Sequence, residues 1–136
     1  MKTALTAMAT LGGCTAARWY LDRPGRRETE FCGVRLRALW NEGAAFGLPI
    51  PEEVLTLAPA AALGAFWARR KRAPIGTGLL LGGGLSNLLE RVRHGRVYDY
   101  VQFPNAPGPL KRYIFNLADF AILAGGAVLL ARGRKR

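Results

Sequence analysis

The chain has 136 residues, one domain's worth, and no Pro/Gly/Ser-rich linker divides it. Half of the residues are apolar, yet the formal net charge is +11. A nucleic-acid binder of that charge should carry its Lys and Arg along one face or one recognition element, whereas here they are bunched between apolar blocks, which argues against a nucleic-acid partner. Cys14 and Cys32 are the only cysteines and His94 the only histidine. No metal-ligand spacing exists, no cofactor is implied, and a Ser-His-Asp triad can run only through His94.

Four apolar blocks, at approximately 3–21, 50–68, 73–89 and 114–131, punctuate the chain. Each approaches the roughly 20 residues that a helix needs to cross hydrocarbon, and amphipathic patterning is weak in all of them. The pattern predicts an all-α integral membrane protein: one membrane domain over 1–136, four transmembrane helices, and outer loops at 22–49 and 90–113. Lys2, the basic run 69–72 and the tail 132–136 put nine basic and no acidic residues on one side. The other loops and their flanks hold ten basic residues but also eight of the nine acidic ones. By the positive-inside rule both termini are cytoplasmic and the polar loops face outward from the plasma membrane, with phospholipid as the surrounding partner. Arg93, Arg96, Lys111 and Arg112 then read as anchors to anionic headgroups, and Tyr98 and Tyr100 as part of an interfacial belt.

The first block is rich in Ala and Thr, is broken by Gly12-Gly13, and ends in "ARWYLDR". Its "LGGC" at 11–14 also has the look of a lipoprotein cleavage box, in which Cys14 would carry lipid; the alternative is an ordinary first span. Residues 22–50 contain "EFCGVRLRALW", which alternates loosely enough for one or two short strands lying on the bilayer. The stretch "WNEGAAFG" at 40–47 follows, where Asn41 and Gly43 belong either to a backbone-exposing turn near a bound chain or to a tight helix entry.

The third block carries "GTGLLLGGGLSNLL". Glycines cost a water-exposed helix roughly 1 kcal/mol each against Ala, so their abundance predicts a flat face for close helix contact, with Gly78 and Gly82 in small-xxx-small register. Asn87 on that side needs a polar partner, either an interhelical bond or a pocket. Arg91 is open to pairing with Glu90, with Asp99 or with a lipid phosphate. In the last block, "FNLADFAI" puts Asp119 five residues inside the apolar run, about 8 Å along a helix axis, with Asn116 on the same face.

Asp99 and Asp119 fall on the same side of this topology. Two carboxyls in contact do not both ionise readily; one then acts as base towards water while the other donates towards a carbonyl, and the two titrate as a pair. An intramembrane helix contact or an ion path is the competing use of such an acid.

The stretches "WNEGAAFG" (40–47), "LLLGGGLSNLLERVRHGRVYDY" (79–100) and "FNLADFAI" (115–122) closely resemble, in order and spacing, the motif blocks of bacterial lipoprotein signal peptidase, or signal peptidase II. The resemblance implies a monomeric aspartic endopeptidase of the bacterial plasma membrane that cuts prolipoproteins immediately before their diacylglyceryl-modified cysteine. It implies that the short strands of the first outer loop form a small extracytoplasmic β cradle between the first two helices. It implies Asp99 and Asp119 as the catalytic pair, with Asn41, Gly43, Asn87, Arg91 and Asn116 positioning substrate or bracing the acids. Two positions depart from the family pattern: Glu90 replaces the Asp of "N-L-x-D-R", and "CTAAR" at 14–18 replaces "D-Q-x-x-K", keeping a base at Arg18 and losing the acid at Cys14. Two other functions stay open, a non-catalytic relative that binds lipidated peptides and, more remotely, a small transport component.

Overall fold

The computed structural model describes residues 1–42, 48–68 and 70–133. Helix α1 spans Lys2–Leu21, α2 Glu52–Ala68, α3 Pro74–His94 and α4 Leu117–Gly133. Strands β1 (Thr29–Phe31), β2 (Val34–Asn41), β3 (Val97–Gln102) and β4 (Ile114–Phe115) form one antiparallel sheet in the order β1-β2-β3-β4.

This corrects the expected architecture in two ways. The sheet is larger than a cradle between the first two helices, because two of its strands come from the loop between α3 and α4. And among the described residues no helix is long and apolar enough to cross a membrane. The most apolar helices, α2 and α4, have only 17 residues each, about 25 Å at 1.5 Å per residue against a hydrocarbon core of about 30 Å. In their first turns α2 carries Glu52 and Glu53, and α4 carries Asp119. The longer α1 and α3 reach 20 and 21 residues, but α1 is rich in Thr and Gly, and α3 ends in "ERVRH". The apolar runs cross element boundaries: the run at 114–131 opens with the two residues of β4 and a cap before α4 begins. The multi-pass topology and the sidedness derived from it fall with the spans.

Helix α3 is the centre of the bundle, and its glycines decide how closely α1 and α4 approach. A Cβ on Gly82 would lie 2.6 Å from the backbone oxygen of Ala7, and one on Gly78 2.8 Å from that of Thr3. On the α4 side, a Cβ on Gly83 would lie 2.6 Å from the backbone oxygen of Ala118. The expected flat face therefore exists on two sides of one helix. On α1 the facing threonines turn their hydroxyls back onto their own helix, Thr6 Oγ1 to Lys2 O at 2.9 Å and Thr10 Oγ1 to Thr6 O at 2.8 Å. That satisfies the hydroxyls and leaves carbon atoms to meet Gly78 and Gly82.

Two turns set up the sheet. Between β1 and β2 the two-residue loop Cys32-Gly33 has φ of 49° and 76°, the pair of positive values that a type I′ hairpin turn requires. At the end of α3, Gly95 takes φ 68° and donates its N–H to Arg91 O at 2.7 Å, a left-handed cap that releases the chain into β3. Cys14 and Cys32 are both free. Cys14 is buried inside α1 at 4 % exposure.

Candidate active site

The polar centre is built at the junction of β4 and α4. Asn116 immediately precedes α4, and Asp119 is the third residue of the helix. Asp119 donates its backbone N–H to Asn116 Oδ1 at 3.0 Å, and Asn116 returns its own backbone N–H to Asp119 Oδ2 at 2.9 Å. This is the reciprocal arrangement of a capping box, with Asn and Asp in place of the commoner Ser/Thr and Glu. The carboxylate expected about 8 Å inside a span is thus in the first turn of a helix, where the dipole favours its charge.

The cap fixes everything around it. Because Asn116 Oδ1 accepts from Asp119, its Nδ2 faces the other way and donates to Asp99 Oδ1 at 3.0 Å and to Asn87 Oδ1 at 2.9 Å. That in turn sets the amide of Asn87, whose Nδ2 donates to Asp119 Oδ1 at 3.2 Å. From β2, Asn41 Nδ2 donates to Asp99 Oδ2 at 3.1 Å. Each oxygen of both carboxylates therefore accepts one N–H, and Asn116 holds the two acids together through its side chain on one side and its backbone on the other. Asn41, Asn87, Asp99, Asn116 and Asp119 come from β2, α3, β3 and the start of α4, and the fold brings all five together. Arg91 is also buried, on the turn of α3 after Asn87 and in the field of Asp99. Gly43 lies outside the described residues.

Burial pushes Asp99 up to about 7; the Asn41 and Asn116 amides pull it back, while the Asp119 and Glu90 carboxylates add to the rise. Burial also raises Asp119, opposed by the Asn116 N–H and then by Asn87. Asp99 is only 5 % exposed and Asp119 is half-buried. Two close acids of this kind hold a proton into the neutral range, and they titrate together.

The strand that carries Asp99 is clamped from several directions. Tyr98 donates its backbone N–H to Glu90 Oε2 at 2.9 Å, and Glu90 Oε1 meets Arg18 Nε at 3.3 Å. The base kept at Arg18 thus finds its acid in Glu90 on α3. Arg91, expected to choose among Glu90, Asp99 and phosphate, leaves Glu90 to Arg18. Tyr98 and Tyr100 are not a solvent-facing belt. Both are buried, Tyr98 donating its hydroxyl to Leu21 O at 3.3 Å and Tyr100 accepting the Leu117 N–H at 2.9 Å, which ties β3 to the end of α1 and the start of α4. Neither contact had a signal in the sequence. Beside the centre Phe103, Phe115 and Phe120 form an aromatic cluster with ring centroids 6.1–6.3 Å apart. His94 is exposed and packs on Trp40 at 5.3 Å.

The family model of signal peptidase (SPase) II matches residues 15–133, nearly all of the chain. The chain belongs to the signal peptidase II family. It is 39 % identical over 103 residues to a lipoprotein signal peptidase of Nitrobacter hamburgensis, a match covering 67 % of this chain and 63 % of the relative. It is 36 % identical over 120 residues to one of Methylobacterium sp. (strain 4-46), covering 80 % and 72 %. The lipoprotein signal peptidase of Syntrophomonas wolfei is 38 % identical over 118 residues, covering 82 % and 74 %. The fold is that of a solved structure described as a bacterial membrane enzyme, with a TM-score of 0.79 at 21 % identity over 98 % of this chain and 87 % of that one. A second structure of the same description gives 0.78 at 19 % identity, covering 95 % and 90 %. Signal peptidase II is a family of lipoprotein-processing aspartic proteases, and the chain spans less than two thirds of the length of the Nitrobacter relative.

Proposed function

We propose that this signal peptidase II cleaves prolipoproteins at the peptide bond before a diacylglyceryl-modified cysteine, with Asp99 and Asp119 as the catalytic pair. The observation that carries the reading is Asn116: one residue donates to both carboxylates and fixes them in a single hydrogen-bonded unit with no other acid in it. The lipoprotein signal peptidases named above favour the same substrate class.

In the proposed reaction Asp119, at the helix N-terminus, is the ionised member, and Asp99, the more deeply buried, holds the proton. Asp119 takes a proton from a water as its oxygen adds to the scissile carbonyl carbon, and Asp99 passes its proton to the carbonyl oxygen. The gem-diol then receives the Asp119 proton on nitrogen. Asp99 recovers a proton from one of the two hydroxyls, the C–N bond breaks, and a carboxylic acid and an amine leave with both aspartates restored. Asn41 and Asn87 hold the outer oxygens of the pair, and Arg91 supplies positive charge behind Asp99.

The test is cleavage of a diacylglyceryl prolipoprotein by purified Asp99→Asn and Asp119→Asn proteins that retain their fold. Each should lose turnover by several orders of magnitude, and normal turnover by either removes the assignment. A non-catalytic lipopeptide binder is motivated by Cys14 standing where the family has an acid; it predicts binding of the same precursor and no product from the unaltered chain.

A further inference from the structure

A second site lies on the side of the catalytic strand that alternation turns away from Asp99. There, Tyr98 and Tyr100 of β3, Leu36 and Ala38 of β2 and the exposed segment following α1 line a half-open groove of about 470 Å³. It is within the size range of small-molecule sites and far larger than a lone ion needs. Its remaining wall is charged: Arg23, Arg26, Arg27 and Arg37 face it together with Asp22 and Glu28.

The two acids are already engaged. Asp22 lies 3.9 Å from Arg18, and Glu28 lies 3.2 Å from Arg35 and 4.0 Å from Arg37. Among the described residues no ion pair reaches Arg23, Arg26 or Arg27. Two of these cations are nevertheless held in place. The Arg23 guanidinium sits 4.7 Å from the Trp19 ring centroid and 5.0 Å from that of Tyr20, and Arg26 sits 4.9 Å from Tyr20. Two guanidinium groups on one aromatic ring concentrate positive charge there, and stacked guanidinium groups keep their N–H edges free to take an anion.

We propose that this groove binds a phosphate ester, with the phosphate taken up by Arg23, Arg26 and Arg27 and the esterified alcohol lying along Tyr98 and Tyr100. A planar guanidinium offers two parallel N–H donors to a tetrahedral oxyanion, and three of them match its charge and oxygen count better than they match a single carboxylate. The alcohol accounts for the volume that a bare ion would leave empty. The same chemistry is presented by a free phosphorylated small molecule and by a phospholipid headgroup. Occupancy would bear directly on the strand that holds Asp99, but the site is separate from the peptidase reading and stands without it.

Two probes separate the sources: calorimetric titration with sn-glycerol 3-phosphate, and co-sedimentation with phosphatidylcholine vesicles with and without phosphatidylglycerol, at about 0.15 M salt. The proteins compared are the unaltered chain, Arg23→Gln/Arg26→Gln, and Lys71→Gln/Arg72→Gln, which removes the same charge from the turn before α3. At least one probe should bind, the groove variant should weaken it by about tenfold or more, and the turn variant should stay within about twofold. Binding of glycerol phosphate assigns a free ester, and binding of phosphatidylglycerol vesicles alone assigns a headgroup. Arg27→Gln, which touches no ring, serves as the second variant if the double substitution lowers the melting temperature, and it must weaken binding too. Failure of both probes, or equal loss from the groove and turn variants, overturns the proposal.

Discussion

Replacing Asn116 tests whether the cap of α4 and the bracing of the acid pair are one device or two. Asn116→Ala removes the acceptor for the Asp119 N–H at 3.0 Å together with both donors, to Asp99 at 3.0 Å and to Asn87 at 2.9 Å. Asn116→Ser keeps a good N-cap oxygen and loses only the donors to the carboxylate and the amide. Loss of an N-cap costs about 1 kcal/mol, so the Ser protein should be more stable than the Ala protein by about that amount in chemical denaturation. Turnover should divide the proteins differently. Asn116 and Asp99 are 4 % and 5 % exposed, so solvent does little to screen their contact. As Asp99 passes its proton to the carbonyl oxygen, the bond becomes one to a charged carboxylate, worth about 1.5–3 kcal/mol. At about 1.4 kcal/mol per decade both variants should therefore lose roughly 10- to 100-fold in kcat on a diacylated precursor. If Asn116→Ser recovers turnover in step with its stability, Asn116 only caps the helix, and the bracing role is wrong.

The alkaline limb of the pH–rate profile should fall near 7, where Asp99 gives up the proton that it holds through burial, and an activity plateau extending to pH 9 would contradict that. Because the folded-state value lies above the ordinary 3.8, the carboxyl contributes stability below about pH 4 that is lost as pH rises through 7. Asp99→Asn should accordingly melt higher than the unaltered protein at pH 8 and lose that advantage at pH 4. Gly83→Ala drives a Cβ to within 2.6 Å of the Ala118 carbonyl, one residue before Asp119, and should cost about 1–3 kcal/mol together with activity. Gly126→Ala meets nothing within 4 Å and should instead stabilise α4 by up to about 1 kcal/mol. A double-mutant cycle with Arg18→Gln and Glu90→Gln should give a coupling of about 1 kcal/mol by denaturation, since the pair is only partly exposed; zero coupling would show that Arg18 and Glu90 do not support each other.

The candidate site was legible where its residues carry unusual chemistry for their surroundings. A carboxylate and an asparagine at the head of an apolar run, a second carboxylate between two tyrosines, and an asparagine among glycines each stand out in the sequence, and the structure brings all of them together with Asn41. The glycines of α3 were equally legible, since so many in one helix make sense only where backbones meet. The spans were misjudged for a physical reason. Hydropathy registers the length of an apolar run and not where the backbone changes conformation, so strand residues, a cap and a helix were added into one length at 114–131. The tyrosines were misplaced because an amphipathic ring suits an interface and an interior equally, and what decides is whether a buried partner such as Leu21 O or the Leu117 N–H awaits the hydroxyl.

By itself the sequence determined the inventory: two acids, their asparagines, the glycines of α3, and a family pattern that local residue order is enough to display. Only the tertiary structure decided the pairings. Asp99 and Asp119 are twenty positions apart and reach one cluster only because β3 returns beside β4, and Arg18 meets Glu90 across seventy-two residues because α1 lies on the glycine face of α3. Such contacts depend on how closely backbones approach and which way each amide faces. Both are properties of packing that no single stretch of the chain encodes.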